Sequence, residues 1–250
     1  MHPAAVIFEE ELRRRAIQFA HTLDGRYQIE IDGGTLVLSL DNVSRDFDRD
    51  GDPQRICRYI ESSLAIFAPL PTWEHARARI YWSAEASSAD LGGTLHESVT
   101  ERVSRVLVFI DLVGMRWLLP KCLADWGVPM TELDAAAREN LDRLLHGKRL
   151  EVERDDGRAL GMVPIDSVAL KASVIFAPGL KGFVEAELGW PVLAVIPCRD
   201  FIYLFSEGDD VVSALGDTVQ REFRESAYPI TTEVLRISDE GIEAIGHFPP

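Results

Sequence analysis

A chain of 250 residues with 46% hydrophobic and 27% charged side chains carries enough apolar material for one large folded domain or two small ones. Its formal net charge of −15, with no basic stripe, argues against nucleic acid as a partner and suits a basic protein partner. No apolar run reaches the length of a membrane-spanning helix, and three widely spaced cysteines, Cys57, Cys122 and Cys198, suit neither a disulfide framework nor a structural zinc site.

The opening stretch MHPAAVIFEEELRRR turns charged within eight residues, which does not suit a secretory signal, so a cytoplasmic protein is expected. Residues 6–23 are periodic, with Val6, Phe8, Leu12, Ala16, Phe19, Ala20 and Leu23 on one side, and predict a helix stopped by Gly25. Glu9/Arg13, Glu10/Arg14 and Glu11/Arg15 stand at i,i+4 and neutralise one another, each pair adding about 0.2–0.5 kcal/mol. Residues 27–31 and 35–40 flank Asp32-Gly33-Gly34 and predict a hairpin. A short helix, an aspartate-rich loop and a longer helix follow; Asp52 suits an N-cap, Pro53 the first helical position, and Ile56, Tyr59, Ile60, Leu64 and Phe67 the core.

Residues 84–93, AEASSADLGG, are small and polar and predict a flexible linker or mobile loop, with an N-terminal lobe (1–90) and a C-terminal lobe (91–250) or one continuous domain. RVLVFIDLV and MRWLL read as strands around Gly114, and Pro120 opens a short helix ending at Gly127. Residues 131–145 predict a helix with Thr131 as cap, Asp134 three residues on, and a stripe through Leu133, Ala137, Leu141, Leu144 and Leu145. Short strands are expected at 150–152 and 161–164, and a helix over 167–189 interrupted at Pro178-Gly179. PVLAVIP and FIYLF form a hairpin around Cys198-Arg199-Asp200, residues 209–225 an amphipathic helix, and 233–237 with 241–245 a last strand pair. Hairpins alternating with helices predict an α+β fold with largely antiparallel sheets.

Three stretches carry a resemblance: LVLSLDNVSRDFDRDGDPQRICRYIESSL, LADWGVPMTELDAAARENLDRLL, and the span from VLAVIPCRDFIYLF through Y-P-I-T to the closing strands. In this order, over most of residues 35–245, they resemble the YtpQ-like family of uncharacterised bacterial proteins. The resemblance implies a cytosolic α+β protein of bacterial origin and brings no catalytic residues with it. The WSAEASSADLGG stretch and the aspartate-rich insertion depart from the family pattern.

Asp46, Asp48, Asp50 and Gly51 match positions 1, 3, 5 and 6 of an EF-hand loop and form a candidate for weak calcium binding. Position 12 is Cys57, a poor ligand for a hard cation, and Glu61 comes about one helical turn late. The plainer reading is a solvated loop with Asp52 capping the next helix. Cys198 beside Arg199 has the composition of an activated thiolate, but no histidine stands in a telling position to serve as its base. Asp111 ends a strand in the manner of a catalytic aspartate, yet no phosphate-binding, HExxH or GxSxG motif accompanies it. Trp73, Tyr81 and Trp82 read as core.

Three functions follow as expectations. The first is recognition of a protein partner, as an adaptor, inhibitor or immunity-type module whose hairpin edges accept a strand. The second is a hydrolase with a scattered site using Asp111, Cys198 or Asp200. The third is a calcium-modulated module built on Asp46, Asp48 and Asp50.

Overall fold

The computed structural model describes residues 2–23, 25–31, 34–65, 69–111, 114–155 and 158–248. Helix makes up 40% and strand 28%, in three antiparallel sheets with packed helices, so the chain adopts the expected α+β class. Among the described residues no helix is long and apolar enough to cross a membrane. Two compact units form: one from Met1–Leu70, Leu112–Gly114 and Glu225–Tyr228, the other from Pro71–Asp111, Met115–Arg224 and Pro229–Pro250. The sequence suggests a division at residue 90, whereas residues 80–86 pair along their length with 103–110 inside the second unit.

In the first unit, helix α1 (Pro3–Arg14) begins at extended His2, whose ring accepts a hydrogen bond from the Ala4 N–H. It ends earlier than its periodicity predicts. Ala16 sits at φ 57, its N–H donates to Arg13 O at 3.0 Å, and the Ile17 N–H donates to Leu12 O at 2.9 Å. That double closure normally employs glycine, so no residue type announces it. Ile17 and Phe19 then follow the period of a strand: β1 (Gln18–His21) pairs with β2 (Tyr27–Ile31), which pairs with β3 (Gly34–Leu38). Asp32 and Gly33 of the expected turn, like Phe67, lie outside the described residues.

The expected aspartate loop is helical. Helix α2 (Asp41–Asp50) runs through it and stops at Gly51, φ 68, whose N–H donates to Phe47 O at 2.7 Å. Helix α3 (Pro53–Leu64) starts at once, with the Asp52 carboxylate accepting from the Gln54 N–H at 2.9 Å as expected. Only Gly51 and Asp52 link the two helices, because one left-handed glycine and one cap suffice to turn the chain. Phe8, Leu12, Ile29, Ile56 and Ile60 form the centre of this unit's core.

The second unit opens with α4 (Trp73–Ala76) and a four-stranded sheet: β4 (Ile80–Ala86), β5 (His96–Ser98), β6 (Val103–Ile110) and β7 (Met115–Trp117). The first three residues of the predicted mobile connection, 84–86, are therefore strand. Ser83, Ala84 and Glu85 are buried, and the Ala84 N–H donates to Ser173 Oγ at 3.0 Å. Low side-chain bulk here marks close packing and not mobility. Helices α5 (Lys121–Trp126) and α6 (Met130–Leu145) follow. Thr131 is not the cap of α6; Pro129 precedes its first residue, and no side chain caps the end. Of the predicted stripe Leu133, Ala137, Leu141 and Leu145 are buried, and Leu144 is half-buried. Within it Asn140, 1% exposed, donates both amide hydrogens to the carbonyls of Arg77 and Ile80, at 2.7 and 2.6 Å.

A six-stranded sheet completes the unit, from β8 (Glu151–Asp155), β9 (Arg158–Met162), β10 (Val192–Val195), β11 (Tyr203–Ser206), β12 (Glu233–Ser238) and β13 (Gly241–His247). Its order is β13-β12-β10-β11-β9-β8. The expected helix over 167–189 resolves into 3-10 turns Val168–Leu170 and Ala172–Phe176, then α7 (Leu180–Leu188), broken at Ala177–Gly179 as Pro178-Gly179 predicts. One face carries Leu193, Val195, Phe205 and Val234 against Val219 of α8 (Val211–Glu225). On the other, Gly161 lies so close to α7 that a Cβ would stand 2.8 Å from Leu188 Cδ1.

Gly161→Ala is expected to destabilise the protein by about 1–3 kcal/mol through overpacking, read as a lower urea midpoint at unchanged slope. A second expectation concerns α8, where the Tyr203 hydroxyl donates to Glu222 Oε1 at 2.6 Å. Burial raises the Glu222 carboxyl above its ordinary value, against the smaller lowering by the Tyr203 bond. The protonated form is thus favoured in the fold, and its contribution is complete below the unfolded pKa and fades as pH rises through the raised one. The melting temperature of Glu222→Gln should therefore gain on the wild type as pH rises above the ordinary carboxyl range; a constant offset would contradict the assignment.

Candidate functional site

A cleft of about 570 Å³ opens in the second unit, among β5, the end of the 3-10 turn before Pro178, the start of α7, Trp190 and the β12–β13 turn. That is a size that suits small-molecule sites. Ile175, Phe176, Ile237 and Ile242 supply apolar lining, and Glu97, Arg105, Arg138, Lys181, Trp190 and Asp239 the polar and aromatic walls.

The two guanidinium groups are placed by the sheet and by α6. Trp82 on β4 is wholly buried, and its indole N–H donates to Asp134 Oδ1 on α6 at 2.8 Å. One helical turn on, Arg138 Nε reaches both oxygens of Asp134 at 3.0 Å. Arg105 on β6 lies over the Trp82 ring, 4.4 Å from its centroid, and donates through Nε to Glu97 at 2.9 Å. At the opposite wall Lys181 donates to both oxygens of Asp239, at 2.9 and 3.1 Å, and the Trp190 N–H donates to the same carboxylate at 3.1 Å. The Lys181 hydrogen bond, above all, holds the Asp239 carboxyl below its usual range.

A second polar group lies buried beside the β10–β11 connection. Glu85, 5% exposed, accepts from Ser83 Oγ at 2.8 Å and from Arg199 Nη2 at 2.6 Å and Nε at 3.2 Å. The charge beside Cys198 is thus directed at a carboxylate across the fold. Cys198 itself is 1% exposed, bridged to Pro229, while all six histidines are exposed. Cys198 and Asp200 share one connection of the six-stranded sheet. Asp111 stands at the β6–β7 corner of the four-stranded sheet, accepting from Arg116 Nη2 at 3.2 Å.

The aspartates of α2 do not converge. Asp48 meets the His2 ring at 3.1 Å, Asp46 stands 3.4 Å from Arg49, and Asp50 takes Arg55, whose hydrogen bond brings its carboxyl down to about 2. On a helix, residues two apart point to different sides, which alternation in a loop does not require. Among the described residues no group of three or more His, Cys, Asp or Glu side chains is placed to hold a metal ion.

Sequence reasoning passed over Arg105, Arg138, Lys181 and Trp190, and over the Glu85–Arg199 pair. The one local signal was Asp134/Arg138 at i,i+4; the rest meet only through tertiary pairing. No family model matches the chain, and no curated protein or solved structure matches it.

Arg199→Met is expected to cost about 3–5 kcal/mol, since it leaves the Glu85 charge buried without its partner. Glu85→Met with Arg199→Met should recover most of that loss in the same denaturation measurement, giving a large favourable coupling in the double-mutant cycle.

Proposed function

We propose that the protein acts by recognising another protein in the bacterial cytoplasm, taking a basic, extended segment of it as an added strand along β13. The observation that carries this is the position and exposure of β13. It ends the six-stranded sheet, spans Gly241–His247, and has every residue exposed except the half-buried Ile242. Seven residues offer an edge about 23 Å long, enough for main-chain pairing to supply affinity.

Charge supplies the partner's sign. The chain carries −15 overall, and the turn leading into β13 presents Asp239 and Glu240, both held below their usual pKa, Glu240 chiefly by the Ser238 hydroxyl. Glu243 follows on the strand and shares Arg236 with Glu207. The register shift opposite Val234/Leu235 makes Ile245 a bulge, 53% exposed. A bulge blunts indiscriminate edge pairing, and this one offers Ile245 as the apolar contact for a guest strand.

Ile245→Lys changes an exposed side chain and should leave stability within about 0.5 kcal/mol. Affinity capture from an extract of the source cells should return one basic protein at near-equal stoichiometry with the wild type and about tenfold less with Ile245→Lys. Val37→Lys, an equally exposed change in the first unit, should capture as the wild type does. Binding should also slow amide exchange across 241–247. Equal capture by Ile245→Lys and wild type, or no change in exchange along β13, would remove the edge from the reading.

A further inference from the structure

We infer that the cleft at Trp190 binds a small organic anion, a carboxylate or phosphate carried on a flat apolar body. The cleft shares Gly241 and Ile242 with the start of β13, but the inference does not depend on strand addition along that strand.

The inference starts from where the donors of the cleft are spent. Arg138 gives only its Nε to Asp134; among the described residues no hydrogen bond engages either of its Nη groups, and its side chain is 39% exposed. Arg105 gives Nε and Nη2 to Glu97, which leaves Nη1. Both residues line the same cavity. An entering anion therefore meets ready N–H donors without having to break an ion pair. The paired donors of a guanidinium match the two oxygens of a carboxylate or phosphate, which an ammonium cannot do.

The pairs already present also keep the local charge in order. Glu97 and Asp239 line the cleft but are answered by Arg105 and Lys181, so neither stands as a bare negative charge. Asp134 is occupied by the Trp82 N–H and Arg138 Nε. The outward fork of Arg138 is what remains.

The rest of the lining selects the body of the ligand. Phe176, Ile237 and Ile242 are apolar, and the Trp190 ring is held by its N–H bond to Asp239 with Lys181 Nζ 5.7 Å from its centroid. A fixed aromatic wall facing aliphatic side chains fits a flat ring better than a flexible polar chain. The volume of about 570 Å³ admits a ligand larger than an inorganic ion. Sugars and other neutral polyols would leave the Arg138 donors without a charged acceptor.

The test uses the whole protein and three probes of one shape: phenylacetate, phenyl phosphate and neutral phenylacetamide. Titrations followed by the Trp190 indole N–H resonance, assigned with Trp190→Phe, should give millimolar or tighter binding of at least one anion. Phenylacetamide and the Arg138→Gln protein should each bind about tenfold more weakly or less. Tighter binding of phenylacetate names a carboxylate as the natural ligand, and of phenyl phosphate a phosphate. Should Arg138→Gln fail to fold, the wild-type shift map decides, with perturbations centred on Trp190, Arg138 and Phe176 expected. The inference is overturned if neither anion moves those resonances at millimolar concentration, if the amide binds as tightly as the anions, or if folded Arg138→Gln binds as the wild type does.

Discussion

The hydrogen bond from the buried Trp82 indole to Asp134 orders the second unit. An indole N–H left without an acceptor in the core costs about 1–3 kcal/mol, so α6 has to bring its carboxylate to one particular height on β4. Asp134, once placed there, is stabilised by a cation on its own helix, and Arg138 is the residue one turn later. Arg105, on the strand beside Trp82, covers the ring from the other direction. The two guanidinium groups of the cleft are therefore consequences of packing an aromatic residue, and their outward nitrogens are what that packing leaves over.

The acidity of the chain is spread by a similar logic. On α1 the carboxylates are spent locally: Glu11 accepts from Arg14 and Arg15, and these bonds draw its carboxyl down to about 2. Glu9 is nearly buried, bonded to Arg13 and to the Tyr27 hydroxyl. Helix surfaces that neutralise themselves contribute little to long-range attraction. The β12–β13 turn differs, since Asp239 answers Lys181 while the neighbouring Glu240 draws chiefly on a serine hydroxyl. Strand edge and acidic side chains thus coincide at one place, which is the physical basis for proposing recognition there.

Much of the fold was legible because its signals are local. The cap at Asp52, the β10–β11 and β12–β13 hairpins of the six-stranded sheet, the stripe on α6 and the break before α7 each rest on residues a few positions apart. The misreadings have equally specific causes. Ala16 closes α1 in a conformation usually left to glycine. Ala84 and Glu85 look like the start of a linker because they are small or charged, but smallness admits Ser173 against the strand and the charge is met by Arg199. The aspartates at 46, 48 and 50 alternate as calcium ligands do, yet a helix sends alternate residues apart. The candidate site was hardest to see: Arg105, Arg138, Lys181 and Trp190 carry no motif, and only the sheet register and the α6 crossing bring them to one cavity.

The composition of the first unit has a consequence for biosynthesis. Its main segment ends at Leu70, but Leu112–Gly114 and Glu225–Tyr228 complete it. A nascent chain therefore exposes α1, the three-stranded sheet, α2 and α3 to the ribosome surface and to chaperones while more than half of the polypeptide is still being made. At ordinary translation rates that interval is on the order of ten seconds.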